Sequence, residues 1–352
     1  MKIAGIEFPE PLCTALRDGK LVVFAGAGVS MGKPANLPNF KELASAIAQN
    51  TGIASEDHEP VDRFLGRLKH RGVDVHTRAA QALSKDNPQP TELHRDLLRL
   101  YSDVSQVRIV TTNFDPLFEQ AAKDIFDFMP EVFRSPSLPL GQSFNGIVHV
   151  HGAVSHPDGI VLTDQDFGRA YLTEGWARRF LVALFRQSTV LFVGYGHNDT
   201  VMNYLARALP ESEAAKRFAL TKATIPDLQH WRFLGIDPIV YPQASEHDHS
   251  RLNNGVHRLA EVFGRRVLDW QREINELAEK KPSPLDGEEA DLISEAFKDE
   301  VKLRFFTTAA YSPEWIDWLD KRGHLDALFG SSAFSQRDRM LALWLAERFA
   351  YQ

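Results

Sequence analysis

A chain of 352 residues with 43% hydrophobic and 25% charged side chains holds material for one large domain and a smaller one, and its net charge of −7 argues against a broad nucleic-acid surface, which needs a basic excess. The single cysteine, Cys13, excludes a disulfide framework within the chain and a multi-cysteine zinc site, and the expected setting is a reducing cytoplasm. The N-terminus lacks the apolar stretch of a signal peptide, and no run approaches the ~20 apolar residues of a membrane span.

Pro9, Pro11, Leu12 and Leu16 suit a short amphipathic helix that packs ahead of the first strand. Leu21-Val22-Val23-Phe24-Ala25 reads as that strand, buried, and it runs directly into Gly26-Ala27-Gly28-Val29-Ser30. Residues without a Cβ let the backbone approach a bulky anion, so this turn is a candidate phosphate cradle, to which Ser30 adds a hydroxyl. Asn39 then caps a helix whose apolar Leu43, Ala46 and Ile47 recur at three- and four-residue spacing. Segments around Phe64 to Leu68 and Ala79 to Leu83, and one capped by Thr91 with Leu93, Leu97, Leu98 and Leu100, also read as helices. Three helices exceed what a simple crossover needs, which makes 51–103 a helical insertion or small cap.

Val107 to Thr111 is the second strand and ends at Thr112-Asn113-Phe114-Asp115-Pro116. Gly146 to Val150 is another and ends in His151-Gly152. Thr189 to Val193 is a further one, followed by Gly194-Tyr195-Gly196-His197-Asn198-Asp199. Glycines or polar residues bunched where apolar strands stop are what a parallel α/β sheet offers a ligand, because the crevice lies at the carboxyl ends of the strands. Helices are predicted over 176–185, 200–209 and near 225–234, with later strands at 217–220 and 238–241. The alternation specifies an α/β, Rossmann-like, doubly wound and mostly parallel sheet with helices on both faces. A helix from His257 extends toward Leu277, closing a domain over 1–275. The charged, proline-bearing stretch within 276–290 is a linker. Residues 291–352 form a helical module rich in aromatics, among them Phe297, Trp315 and Trp318. The last helix stops near Gln352 with no glycine or proline exit, so the chain is expected to be the N-terminal part of a longer protein. His247-Asp248-His249 reads as a solvated loop rather than a metal site, and Asp164-Gln165-Asp166 as a helix cap before Phe167 and Tyr171.

In order and spacing, Gly26-Ala27-Gly28-Val29-Ser30, Pro38-Asn39-Phe40, Thr111-Thr112-Asn113-Phe114-Asp115, His151-Gly152 and Gly194-Tyr195-Gly196 resemble the motifs of the sirtuin family over roughly residues 18–265. The departures are Asn39 and Lys41 in the second motif and Thr112 where sirtuins carry glutamine. One cysteine cannot make the four-cysteine zinc module of deacylating sirtuins, and His197-Asn198-Asp199-Thr200 enters a helix where their acyl-lysine groove would lie. The pattern is similar to the sirtuin-like domains of bacterial antiphage defence proteins, which hydrolyse NAD. That resemblance implies an NAD glycohydrolase with NAD as substrate, no metal, and homo-oligomer formation or a partner defence protein engaged through the C-terminal helices.

Cleaving the bond between nicotinamide and ribose passes through an oxocarbenium-like state, which requires a fixed ribose and a proton acceptor. The resemblance gives Asn113 a water or a ribose hydroxyl to hold, and Phe40 the task of shielding the nicotinamide side. An imidazole titrating near neutrality suits His151 as the acceptor. Asp115 orients the ribose or the loop. Gly26, Ala27, Gly28, Ser30, Thr112, Gly194, Gly196 and Asn198 are the expected NAD contacts. Competing readings remain in the residues themselves: Asn113 and Asp115 suit a turn and a helix cap, the late glycines a tight turn, and Asn198 a loop-to-helix cap. His149 shares a strand face with His151 and is assigned a core or supporting role. The enzymatic alternative is a sirtuin-type deacylase or ADP-ribosyltransferase; the non-enzymatic one is a module that senses NAD or ADP-ribose.

Overall fold

The structure, a computed structural model, describes residues 1–126, 128–139, 144–195, 216–245, 248–264, 267–330 and 334–349. After two short strands, β1 (Lys2–Ile3) and β2 (Ile6–Glu7), the helix Glu10–Arg17 leads to β3 (Leu21–Ala25), whose five residues are all buried. A strand buried on both faces belongs in the middle of a parallel sheet. β3 pairs with β4 (Arg108–Thr111) on one side and β7 (Thr189–Val193) on the other. Outside these lie β6 (Gly146–His149) and β5 (Val132–Arg134) on the β4 side, and β8 (Arg217–Lys222) and β9 (Asp237–Tyr241) on the β7 side.

The order β5-β6-β4-β3-β7-β8-β9 is parallel at every pairing. Leaving out β5, the chain order across the sheet is that of the dinucleotide-binding fold, and the direction of winding reverses between β3 and β7. The doubly wound architecture predicted from the alternation of elements is therefore the one observed. β5 is an addition at the edge that sequence patterning did not reveal.

Between β3 and β4 run the helices Gly28–Met31, Phe40–Ala48, Val61–His70, Val75–Ser84 and Glu92–Arg99. Asn39 caps Phe40–Ala48 in a reciprocal arrangement with Glu42, and Thr91 caps Glu92–Arg99 in the same way with His94. Leu43, Ile47, Phe64, Leu65, Leu68, Val75 and Ala79 meet in one apolar cluster with Leu117 and Leu162. The main core gathers Phe24, Phe192, Phe185, Phe180, Trp176 and Trp231 against the sheet. The helix expected from His257 toward Leu277 is two: Ser250–Phe263 ends at Gly264, where a Cβ would sit 1.6 Å from the Arg99 carbonyl oxygen, and Val267–Ala278 begins afresh.

The described residues within 4–264 form one compact unit, and those within 1–3 and 265–352 another. The second unit is helical beyond β1, with Gly287–Ala296 capped by Asp286, then Glu300–Ala309, Glu314–Lys321, Asp326–Phe329 and Gln336–Phe349. Its core is aromatic. Phe306 meets Trp315 edge-on at 5.0 Å, and two of its buried indoles donate to carbonyls that end helical segments, Trp315 to Ala278 and Trp344 to Ala310. Among the described residues no helix is long and apolar enough to cross a membrane.

Candidate active site

Register brings the motifs to one level. Ala25 pairs with Thr111 and with Val193, and Thr111 with His149. The next residues, Gly26, Thr112, Val150 and Gly194, leave four adjacent strands together, and Asn113 and His151 follow one position later. All lie at the carboxyl edge, at and beside the switch point between β3 and β7.

The glycines of this edge meet one another. A Cβ on Gly26 would come within 2.6 Å of both the Gly194 carbonyl oxygen and the Tyr195 ring, and one on Gly28 within 2.9 Å of Gly194 Cα. Gly194 has φ +66, and its own Cβ would meet the Val29 nitrogen at 2.6 Å. Gly26 N donates to Val193 O, and Gly28 N to Gly194 O, both at 2.9 Å. The missing Cβ atoms thus first serve the contact between two loops. Gly28 remains exposed on its other side and Ala27 half-exposed, so backbone there is still open to a ligand.

Asn113 follows a turn fixed by Thr111, whose hydroxyl donates to Ala25 O at 2.9 Å and accepts from Asn113 N at 3.0 Å. The Asn113 amide nitrogen donates to Gly26 O at 3.2 Å and to Ser30 Oγ at 3.1 Å. Its Oδ1 has no hydrogen-bond partner among the described residues. Ser30 Oγ also lies 3.0 Å from Asp115 Oδ2 and 3.2 Å from His94 Nε2. Asp115 Oδ1 accepts from Leu117 N at the head of the helix Leu117–Ile125, so this buried carboxylate both caps a helix and faces Ser30. Burial pushes the Asp115 carboxyl above its ordinary range, opposed by the Leu117 and Ser30 hydrogen bonds.

On the opposite flank, His149 Nδ1 donates to the Asn113 carbonyl at 3.0 Å and Nε2 to Glu119 Oε1 at 3.1 Å. Both partners accept, so the fully buried ring carries two protons and a positive charge. Burial alone would lower the His149 pKa, but the Glu119 hydrogen bond and charge raise it above the ordinary value. Burial likewise opposes ionisation of Glu119, yet His149 and then Arg134, 3.2 Å away, bring its carboxyl below the usual range.

His151 is buried, and its Nε2 lies 2.7 Å from the Tyr171 hydroxyl. A π-helical turn, Arg169–Thr173, delivers Tyr171, and such turns often mark functional segments. Phe167 presents an edge to the same imidazole at 5.3 Å. Gly152, with φ +84, permits the close pass of Gly159, whose carbonyl oxygen would lie 2.5 Å from a Cβ there.

Ser30, Asn113 and Asp115 therefore form one hydrogen-bonded group against Gly26. Phe40 opens its helix half-buried and packs on the cluster of the 40–84 helices, and Thr112 is half-buried at the strand edge. Gly196 and Asn198 lie outside the described residues, as do the predicted helix over 200–209 and His247. Asp166 completes the capping box of Thr163 and accepts from His76 at 2.9 Å, as a capping residue rather than one of a catalytic pair. Among the described residues no cluster of His, Cys, Asp and Glu is arranged to hold a metal ion. Sequence reasoning missed His94, Glu119 and Tyr171. Glu119 left a trace, since it is a carboxylate set among Leu117, Phe118, Ala121 and Ala122.

Comparison with known proteins is in keeping with this site. Residues 107–239, which include Asn113, Asp115, His151 and Gly194, match the family model described as SIR2-like domain. The chain is also 29% identical, over an alignment of 379 residues, to the uncharacterized protein y4cA of Sinorhizobium fredii. That alignment takes in 97% of this chain and 30% of the relative, so the chain spans less than a third of that protein's length. Residues 107–239 are thus similar to SIR2-like domains, a class that uses NAD.

Proposed function

We propose that this crevice binds NAD and hydrolyses its nicotinamide–ribose bond, releasing nicotinamide and ADP-ribose, and that the resulting loss of NAD serves antiphage defence. The observation that carries the reading is register: Asn113 and His151, each two residues past the paired rung Thr111 and His149, lie side by side next to the glycine switch point, and both fall within the SIR2-like stretch. The residues present suit the substrate. Backbone at Ala27 and Gly28 is open for a diphosphate, and Asn113 Oδ1 is an acceptor with its amide protons already committed.

In this reading the bonding pair leaves with nicotinamide as water adds to the ribose carbon. Asn113 Oδ1 holds the water or a ribose hydroxyl, and His151 takes the proton. Phe40 and Thr112 line the approach, Asp115 holds the loop through Ser30, and Gly196 and Asn198 complete the set. Unchecked loss of NAD would be lethal, so activity in the cytoplasm waits on a trigger: oligomer formation, a partner protein acting through the C-terminal helices, or the helical cap at 51–103 closing the pocket.

The test incubates purified protein with NAD, with and without candidate activators, and quantifies nicotinamide and ADP-ribose by chromatography beside calorimetric NAD binding. His151→Ala is expected to lower turnover by about 10²-fold or more while keeping the melting temperature. Full turnover by that variant would refute the assignment. Turnover that depends on an acylated peptide would make the protein a deacylase, and binding without turnover a sensor.

A further inference from the structure

The hydrogen bonds around Ser30 can be assigned from atoms that have no choice. A backbone carbonyl only accepts, so the Asn113 atom 3.2 Å from Gly26 O is nitrogen, and its second N–H goes to Ser30 Oγ. A backbone amide only donates, so His94 Nδ1, 3.1 Å from Thr91 N and 2.7 Å from the Thr91 hydroxyl, satisfies that amide only when it carries no proton. The neutral ring then bears its proton on Nε2, which faces Ser30 Oγ at 3.2 Å. Ser30 Oγ has two lone pairs and one proton. Accepting from Asn113 and His94, it sends that proton to Asp115 Oδ2.

The other tautomer could give its Nδ1 proton to the Thr91 hydroxyl, 2.7 Å away, but would take from the Thr91 N–H the acceptor it has on this ring and leave Nε2 bare. It would also draw the Ser30 proton away from a buried carboxylate whose other oxygen has only Leu117 N. Full burial, with the Arg95 charge adding to it, pushes the His94 pKa down to about 3, in keeping with a ring that stays neutral.

We propose that His94, contributed by the helix Glu92–Arg99 outside the SIR2-like stretch, is a positioning residue of the site: its Nε2–H locks the Ser30 hydroxyl toward Asp115 and the Asn113 amide toward Gly26 and Ser30, so that Oδ1 alone is left for the ribose side. Its part in turnover rests on the NAD hydrolase reading; its hydrogen bonding does not. The ring joins two jobs, since the nitrogen that completes the Thr91 cap is what sets the proton on the other.

Protein labelled with 15N in its histidine rings reports the tautomer directly. His94 is expected to show Nε2 protonated and Nδ1 bare, unchanged between pH 6 and 8; a protonated Nδ1 or a titration in that range would overturn the proposal. His94→Leu removes the donor, whereas His94→Gln places an amide N–H where Nε2 stood. Under the NAD hydrolase reading, His94→Leu lowers kcat on the order of 10-fold with KM within about twofold, and His94→Gln stays within about threefold of the parent. Equal losses in the two variants would assign the effect to packing and end the proposal. Should the parent protein not turn over NAD, the functional reading fails alone. The Asn113 side-chain amide protons then decide about His94: slow exchange in the parent and in His94→Gln, with fast exchange in His94→Leu, supports it, and equal exchange in all three refutes it.

Discussion

His94 and His149 are both fully buried and both hydrogen-bonded to the surroundings of Asn113, yet their environments give them opposite charge. His94 meets a backbone N–H and the Thr91 hydroxyl on one nitrogen and the Ser30 hydroxyl on the other, and the backbone N–H finds its acceptor there only on a neutral ring. His149 meets a carbonyl and a carboxylate, which only an imidazolium satisfies. Burial alone would therefore have misjudged one of the two; the charge of a buried imidazole is set by whether its neighbours donate or accept. Asn113 is held from one side by its amide through the neutral ring's partner Ser30, and from the other by its carbonyl through the charged ring.

Removing Glu119 should break this pairing most severely. Glu119→Ala strands the His149 charge beside Arg134, and loss of one partner from a buried pair costs about 3–5 kcal/mol, measurable by urea denaturation at pH 7. The pH dependence of that loss has a definite sign. The raised His149 pKa gives stability that is fully present below the ordinary value of 6.5 and fades as pH rises through the folded value. The lowered Glu119 pKa gives stability present above 4.5 that is lost as pH falls through its folded value. The gap between parent and Glu119→Ala is thus widest from pH 5 to 6 and narrows in alkali.

His94 should behave the other way. Its folded pKa of about 3 lies below the ordinary 6.5, so as pH falls under 6.5 the unfolded chain takes up a proton that the folded one refuses. The parent is destabilised by about 2 kcal/mol at pH 5 relative to pH 8 through this ring alone. His94→Leu loses hydrogen bonds worth about 2 kcal/mol at pH 8 but escapes the acid penalty, so denaturation midpoints of variant and parent should converge toward pH 5. If both gaps moved with pH in the same direction, the contrast between the two rings would be lost. The smallest effect is expected from Tyr171→Phe, which keeps the ring beside Phe167 and removes only the hydroxyl from His151 Nε2. Steady-state kinetics should show a several-fold lower kcat with KM within about twofold.

Much of the frame was legible in sequence because β3, β4, β6 and β7 are apolar runs that stop abruptly in glycine, asparagine or histidine. β5 was not, since three half-buried residues carry no periodicity. His94 was hidden by a substitution of role: the Thr91 cap was recognisable, but the third helical position usually returns a Glu or Gln to the cap, and a histidine there does not advertise the same bond. Tyr171 was hidden by geometry, because a π-helical turn shifts the face on which a residue emerges and defeats reading at three- and four-residue spacing. The need for glycine at position 264 comes from the Arg99 carbonyl, a neighbour far away in sequence.

The meeting of Gly26 and Gly28 with Gly194 restricts where this crevice can vary. Its floor is main chain pressed on main chain, with no room for even a methyl group, so new side chains cannot be introduced there to retune what is bound. Variation in this lining is left to the rim, where Ala27, Phe40 and Thr112 are partly exposed.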